Sequence, residues 1–305
     1  MSRASLGLLL TALFSCAWAQ AAPRSSIQII TTPQSYALGL GLAGAFAKSE
    51  PFPEPRIEAV GDALARFCAD VTLQSPDAVI SDQELSPSER AACRAAGVTP
   101  VEEVLGYSGI AILTSVSAPA LPLTLSDLVL AIAGHVRRSI DGVFVDNPFD
   151  TWASIDSKLP AVGIQVIGPP AGSPAEAAVA RLIQAAGSPL PGSVRAAPAY
   201  RARAAGEDPA HLVSAAKTAL VLVDLTTVAP RGTALVPIDG VVPQGSTLAS
   251  GAYPLARPVR LVVKREHLGI VPGLGELAAL AGRVASARES DLAAAGLVAA
   301  PARGR

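Results

Sequence analysis

Beyond residue 25 the chain alternates short apolar, β-branched runs with longer stretches whose apolar residues recur at helical spacing. Residues 26–30 read as a strand; the polar turn Thr31-Thr32-Pro33-Gln34-Ser35 then leads into a helix over 36–48 that carries Gly39, Gly41 and Gly44. Strands are predicted at 56–60, 78–80 and 101–105, with helices at 62–70 and 87–96. Farther on come a helix at 126–132, a turn at 152–155, a strand at 164–167, a helix at 175–186 and a strand at 220–224. From Glu276 the Ala- and Leu-rich pattern is helical again, and 301–305 reads as a frayed tail. Such alternation predicts a mostly parallel sheet with helices on its faces, and in such sheets ligands bind beyond the carboxyl ends of the strands.

The first 22 residues break this pattern. Arg3 precedes an apolar stretch, 6–14, too short to span a bilayer, and small residues follow at Ala17, Ala19, Ala21 and Ala22. Residues 1–22 therefore read as a signal peptide and the protein as exported. Cleavage near Ala19 or Ala21 gives a soluble periplasmic protein. The alternative is lipidation at Cys16, since Leu13-Phe14-Ser15-Cys16 partly resembles a lipobox; only then is a membrane a partner. Once Cys16 is removed or lipidated, Cys68 and Cys93 remain as an even pair in an oxidising compartment, which predicts a disulfide. Closing that loop stabilises by about 3 kcal/mol on the chain-entropy account. The alternative is two buried free thiols.

Composition narrows the function classes. Half of the 305 residues are hydrophobic and only 16% are charged, which excludes disorder and allows either one large core or two ordinary ones. A net charge of -1 with 4% aromatic residues gives neither the basic face nor the stacking platforms of a nucleic-acid binder. His135, His211 and His267 stand in no metal-ligand spacing and are expected as surface or capping residues. No nucleophile elbow, P-loop or dinucleotide fingerprint occurs, so the chain reads as a non-enzyme with no metal and no cofactor.

Several segments stand in a recognisable order and spacing. They are Arg66-Phe67-Cys68, Pro76-Asp77-Ala78-Val79-Ile80-Ser81-Asp82, Pro87-Ser88-Glu89-Arg90 and Gly106-Tyr107-Ser108-Gly109-Ile110. Asn147-Pro148 with Trp152, Leu159-Pro160, Gly168-Pro169-Pro170 and Tyr253-Pro254-Leu255-Ala256-Arg257-Pro258 complete the set. Together they resemble periplasmic phosphate-binding proteins of the PstS type; the resemblance covers about residues 26–285 and implies an α/β, class II periplasmic-binding-protein fold with a cleft between two lobes. Crossings at 108–114 and 248–260 would make lobe I discontinuous, 24–112 and 254–305, around lobe II at 113–253. It implies a monomer that captures phosphate or another small anion for an ABC transporter permease. The alternatives are a receptor for another small ligand and a degenerate domain serving sensing or interaction.

The resemblance also nominates a site. Family receptors hold phosphate with hydroxyls and helix N-terminal amides, and one carboxylate accepts the proton of the bound phosphate, which sulfate lacks. Asp82 aligns with that carboxylate, beside Ser81; the alternative is that Asp82 only caps or solvates the turn after a strand. Gln34 and Ser35 stand in the first loop, Gly61 and Asp62 in the second, Gly172 and Ser173 in the third. The loops depart from the family. Asp62 brings a negative charge to a helix start, and Pro174 removes a donor where relatives carry Thr and Arg, so weak phosphate binding or a different ligand is expected.

Overall fold

The computed structural model describes residues 26–137, 142–185, 194–195, 199–284 and 297–298. The predicted signal peptide with Cys16 and the 301–305 tail lie outside the described residues. The first lobe is built from β1 (Gln28–Thr31), α1 (Tyr36–Ser49), β2 (Arg56–Ala59), α2 (Ala63–Cys68), β3 (Ala78–Ser81), α3 (Pro87–Ala95) and the first part of β4 (Pro100–Ser115). The second holds α4 (Leu125–Ile132), β5 (His135–Arg137), β6 (Phe144–Asp146), α5 (Trp152–Ile155), β7 (Val166–Gly168) and α6 (Pro174–Ala185). It continues through β8 (Tyr200–Ala202), α7 (Pro209–Ala215), β9 (Leu220–Asp224), β10 (Thr233–Leu235) and α8 (Gly245–Ala249). The chain returns through β11 (Ala256–Lys264), and the last helix among the described residues is α9 (Leu274–Val284).

One sheet runs β2-β1-β3-β11-β4-β9-β7-β8, with β10 also on β4. The pairs β1–β2, β1–β3, β7–β8 and β7–β9 are parallel. Where β11 and β4 pass through the middle, every pairing is antiparallel. The expected mostly parallel sheet is therefore present only at the flanks. The two long strands that cross between lobes run against their neighbours and against each other.

Period-two alternation explains how helices cover both faces. In the first lobe Ile29, Ala78, Ile80, Leu261 and Val263 face α1 and α9, whereas Ile30, Val79 and Val262 face Phe67, Cys68 and Cys93 of α2 and α3. In the second, Ile112, Val166, Leu220 and Leu222 pack with α4 and α6, and Leu113, Ile167, Val221 and Val223 with α7. Cys68 and Cys93, both buried, form the predicted disulfide between α2 and α3, with their Cα atoms 4.2 Å apart.

His267 is not a surface residue. It is buried, with Nδ1 2.7 Å from Asp77 Oδ1 and Nε2 2.9 Å from the Val71 carbonyl, and so ties the end of β11 to the loop before β3. Lys264 is buried beside it, over the Phe67 ring and donating to the Asp70 carbonyl. Full hydrogen bonding makes such burial tolerable, and local sequence does not show that the partners come from about 190 residues away.

At the crossing, residues 100–109 of β4 pair with β11 and residues 110–113 with β9. Gly109 has φ 148°, and a Cβ there would lie 2.0 Å from the Leu255 carbonyl oxygen. Only glycine allows this approach. Buried Tyr253 donates its hydroxyl to the Ile110 carbonyl at 3.0 Å, pinning the return of the chain to the outgoing strand; burial raises its pKa.

Candidate functional site

The carboxyl ends of β1 and β3 meet the start of α6 and the end of β7 across a cleft. A cavity of about 690 Å3 there is lined by Pro33, Gln34, Tyr36 and Ala37 of the first lobe. Gly172, Ser173, Glu176, Ala177, Val179, Ala180, Val194, Tyr200 and Ala202 line it from the second. Carbon surface dominates. Among these lining residues Glu176 is the only carboxylate, and Lys, Arg and His are absent.

Of the residues nominated by sequence, Gln34, Gly172 and Ser173 line this cavity. Ser35, between the lining residues Gln34 and Tyr36, and Ser81, the last residue of β3, are both buried and are not among the lining residues: Thr32 Oγ1 donates to Ser35 Oγ at 3.1 Å, and Ser81 Oγ accepts from the Gln83 amide at 2.9 Å. Gly61 and Asp62 are exposed at the start of α2 and are not among the lining residues. Asp62 occupies the N-cap position, yet its side chain makes no capping hydrogen bond.

Asp82 follows β3 directly and is only 5% exposed. Its Oδ2 accepts from Nη2 of Arg181, on α6 of the other lobe, at 2.8 Å. Asp82 Oδ1, Arg181 Nε and, at the end of β1, Thr31 Oγ1 are all buried and find no hydrogen-bond partner among the described residues. The pair thus joins the lobes while leaving one acceptor and one donor unused. Sequence reasoning noted that no arginine follows the helix start and missed the one two turns further on. A signal was present: Ser173, Ala177 and Arg181 repeat every four residues, which places them along one stripe of the helix. Arg181 is also the only cation in α6.

The start of α6 is already occupied. Ser173 Oγ accepts from the Glu176 amide at 3.1 Å, and Glu176 Oε2 in turn accepts from the Gly172 amide at 2.6 Å. Asp224, at the end of β9, accepts from the Ala175 amide at 3.2 Å. Two of the protein's own carboxylates therefore lie where the helix dipole favours an anion. Glu176 also bears on Tyr200, whose hydroxyl is pushed up to about 12, by burial first and by this carboxylate second. Tyr200 reaches the cleft because residue 168 is glycine: a Cβ on Gly168 would lie 1.8 Å from the Tyr200 hydroxyl. Among the described residues there is no cluster of side chains fit to hold a metal ion, and no helix is long and apolar enough to cross a membrane.

Solved structures share this architecture at low sequence identity. A possible phosphate-binding protein from Planctomyces limnophilus superposes with a TM-score of 0.70 at 19% identity, covering 90% of this chain and 93% of that one. PstS from Borrelia burgdorferi gives 0.65 at 11% identity over 91% and 100% of the two chains. An ABC-type phosphate transport receptor from Vibrio cholerae gives 0.60 at 16% over 90% and 99%. No curated protein sequence matches this chain. The sequence profile of the PBP superfamily domain matches residues 18–282, so that with its two lobes, antiparallel crossing strands and interlobe cleft the chain belongs to the PBP superfamily.

Proposed function

We propose that the protein is an exported solute receptor that binds phosphate or a related protonated oxyanion in the interlobe cleft and delivers it to an ABC transporter permease. The observation that carries this reading is Asp82: a carboxylate at the end of β3, 5% exposed, with Oδ1 unused and directed away from bulk water. An ionised carboxylate only accepts hydrogen bonds, so a ligand meeting it must bring a proton. Hydrogen phosphate does and sulfate does not. Arg181 and the Thr31 hydroxyl supply donors for the remaining ligand oxygens. The three neighbours, described as phosphate-binding or phosphate-transport proteins, support the same ligand class.

On this reading residues 1–22 are removed on export, residues 24–112 and 254–305 form the first lobe, and residues 113–253 form the second. Gln34, Ser35, Ser81, Gly172 and Ser173 contribute polar contacts around the ligand. Gly61 and Asp62 form the outer edge of the same face. The protein acts by binding and closing rather than by catalysis. Calorimetric titration of the processed protein with phosphate and with sulfate tests the reading. Phosphate is expected to bind and sulfate to bind at least tenfold more weakly, with Asp82→Ala abolishing the preference. Equal binding of the two anions, or phosphate binding indifferent to Asp82→Ala, would overturn it.

A further inference from the structure

The cavity is the wrong size and the wrong chemistry for a bare inorganic anion. A tetrahedral oxyanion fills the space of a few waters, at about 30 Å3 apiece. The cavity holds about 690 Å3, within the roughly 300–1,000 Å3 typical of sites for organic ligands. Its walls are the side chains of Tyr36, Val179, Val194 and Tyr200 together with small alanines of α1 and α6, and its one carboxylate, Glu176, already accepts from the Gly172 amide. Nothing in that lining neutralises an anion. The nearest cation along α6 is Arg181, which, like Asp82, is not itself a lining residue but lies one turn beyond Ala177 and one residue beyond Ala180, both of which line the cavity. The charged pair at Asp82 thus adjoins the carbon-lined space along α6, just behind its lining.

We infer that the ligand is an organic phosphoryl compound, a phosphomonoester or a phosphonate, whose phosphoryl head meets Asp82 and Arg181 and whose carbon body fills the cavity against Tyr36, Val179 and Tyr200. This rests on the receptor reading above and makes it more specific. Asp82 Oδ1 accepts the P–OH proton, Arg181 Nε donates to a P–O⁻ oxygen, and Thr31 Oγ1 is the additional buried donor. The guanidinium stays paired with Asp82 through Nη2, so the head enters a site whose own charges cancel. A single additional negative charge is accepted there. At the start of α6, where Glu176 and Asp224 hold the amides, it is repelled. The carbon body supplies the affinity that the altered loops do not, through burial of apolar surface against the cavity walls.

Titration of the processed protein with inorganic phosphate, phenyl phosphate, phenylphosphonate and phenyl sulfate tests this. Phenyl phosphate or phenylphosphonate is expected to bind at least about tenfold more tightly than inorganic phosphate, and the stronger of the two identifies the source of the head group. Phenyl sulfate, which has no proton to give, should bind at least about tenfold more weakly than phenyl phosphate. Arg181→Gln should lower the affinity for phenyl phosphate about a hundredfold, with circular dichroism and melting confirming that the variant is folded. Ala180→Phe, which fills the cavity from a partly exposed position on α6, should bring the ratio of phenyl phosphate to phosphate affinity down to about one. If inorganic phosphate binds as tightly as both organic compounds and Ala180→Phe leaves that ratio unchanged, the inference is overturned and the phosphate receptor stands. If none of the phosphorus compounds binds, both fall.

Discussion

Replacing Arg181 by alanine isolates the contact that joins the two lobes. Asp82 is 5% exposed and the Arg181 side chain 23%, so the substitution strands a nearly buried carboxylate whose charged partner lay at 2.8 Å. Removing one member of a buried pair costs about 3–5 kcal/mol. Because the guanidinium retains some solvent, the lower end applies, about 3 kcal/mol, or roughly 5 °C in Tm for a chain of this size. Asp82→Asn should cost less, about 1 kcal/mol, since Arg181 can turn its exposed edge to water. The double variant should be close to Arg181→Ala alone or more stable, giving a coupling energy of at least about 1 kcal/mol in urea unfolding. As the pair spans the cleft, part of the strain can also be relieved by opening, which small-angle scattering would read as a larger radius of gyration in Arg181→Ala than in the double variant. Additive single effects, within about 0.5 kcal/mol, together with unchanged scattering would refute the reasoning.

Reducing the Cys68–Cys93 disulfide, which closes a separation of 25 residues, should lower stability by about 3 kcal/mol, read as a denaturation midpoint that falls on adding reductant and does not fall in a Cys68→Ala/Cys93→Ala variant. Gly168→Ala should displace the Tyr200 ring, since the new methyl carbon would lie 1.8 Å from its hydroxyl; near-ultraviolet dichroism should change with little loss of helix signal. Ser86→Ala removes a capping box at the start of α3, where Ser86 accepts from the Glu89 amide, and should cost about 1 kcal/mol by denaturant titration. Tyr200 is pushed up to about 12 by burial, so the folded state holds its proton more tightly than the unfolded chain does. Its contribution is full below about pH 10 and lost by about pH 12, roughly 2 to 3 kcal/mol, and Tyr200→Phe should flatten that part of the alkaline unfolding profile.

Much of the fold was legible because its strands and helices are long or strongly patterned. The helix over 36–48 was found within a residue of Tyr36–Ser49, and the strand over 220–224 matches β9. The strands β5, β6, β8 and β10 were not predicted: each has three residues, too few to show a period, and each is defined by its pairing partner. The single strand β4 was read as separate pieces because Gly106 and Gly109 interrupt its apolar run, whereas in the structure both glycines permit close backbone approach. At the site, residues at strand ends and helix starts could be nominated from local chemistry. The Asp82–Arg181 pair could not, since 99 positions separate its members and neither has a local reason to seek the other.

The two crossings have a consequence for how such a protein can change. The outgoing and returning strands are zipped together along residues 100–109 and 256–264, so they form a single two-stranded ribbon and not a pair of independent tethers. A paired ribbon twists more readily than it shears, so an opening of the cleft is expected to follow that twist. Everything between β4 and β11 is, in effect, an insertion carried on that ribbon. The wall bearing Arg181, Glu176 and Tyr200 can be exchanged or diversified without redesigning the one bearing Asp82, and a scaffold for one solute class becomes a chassis on which another can be selected.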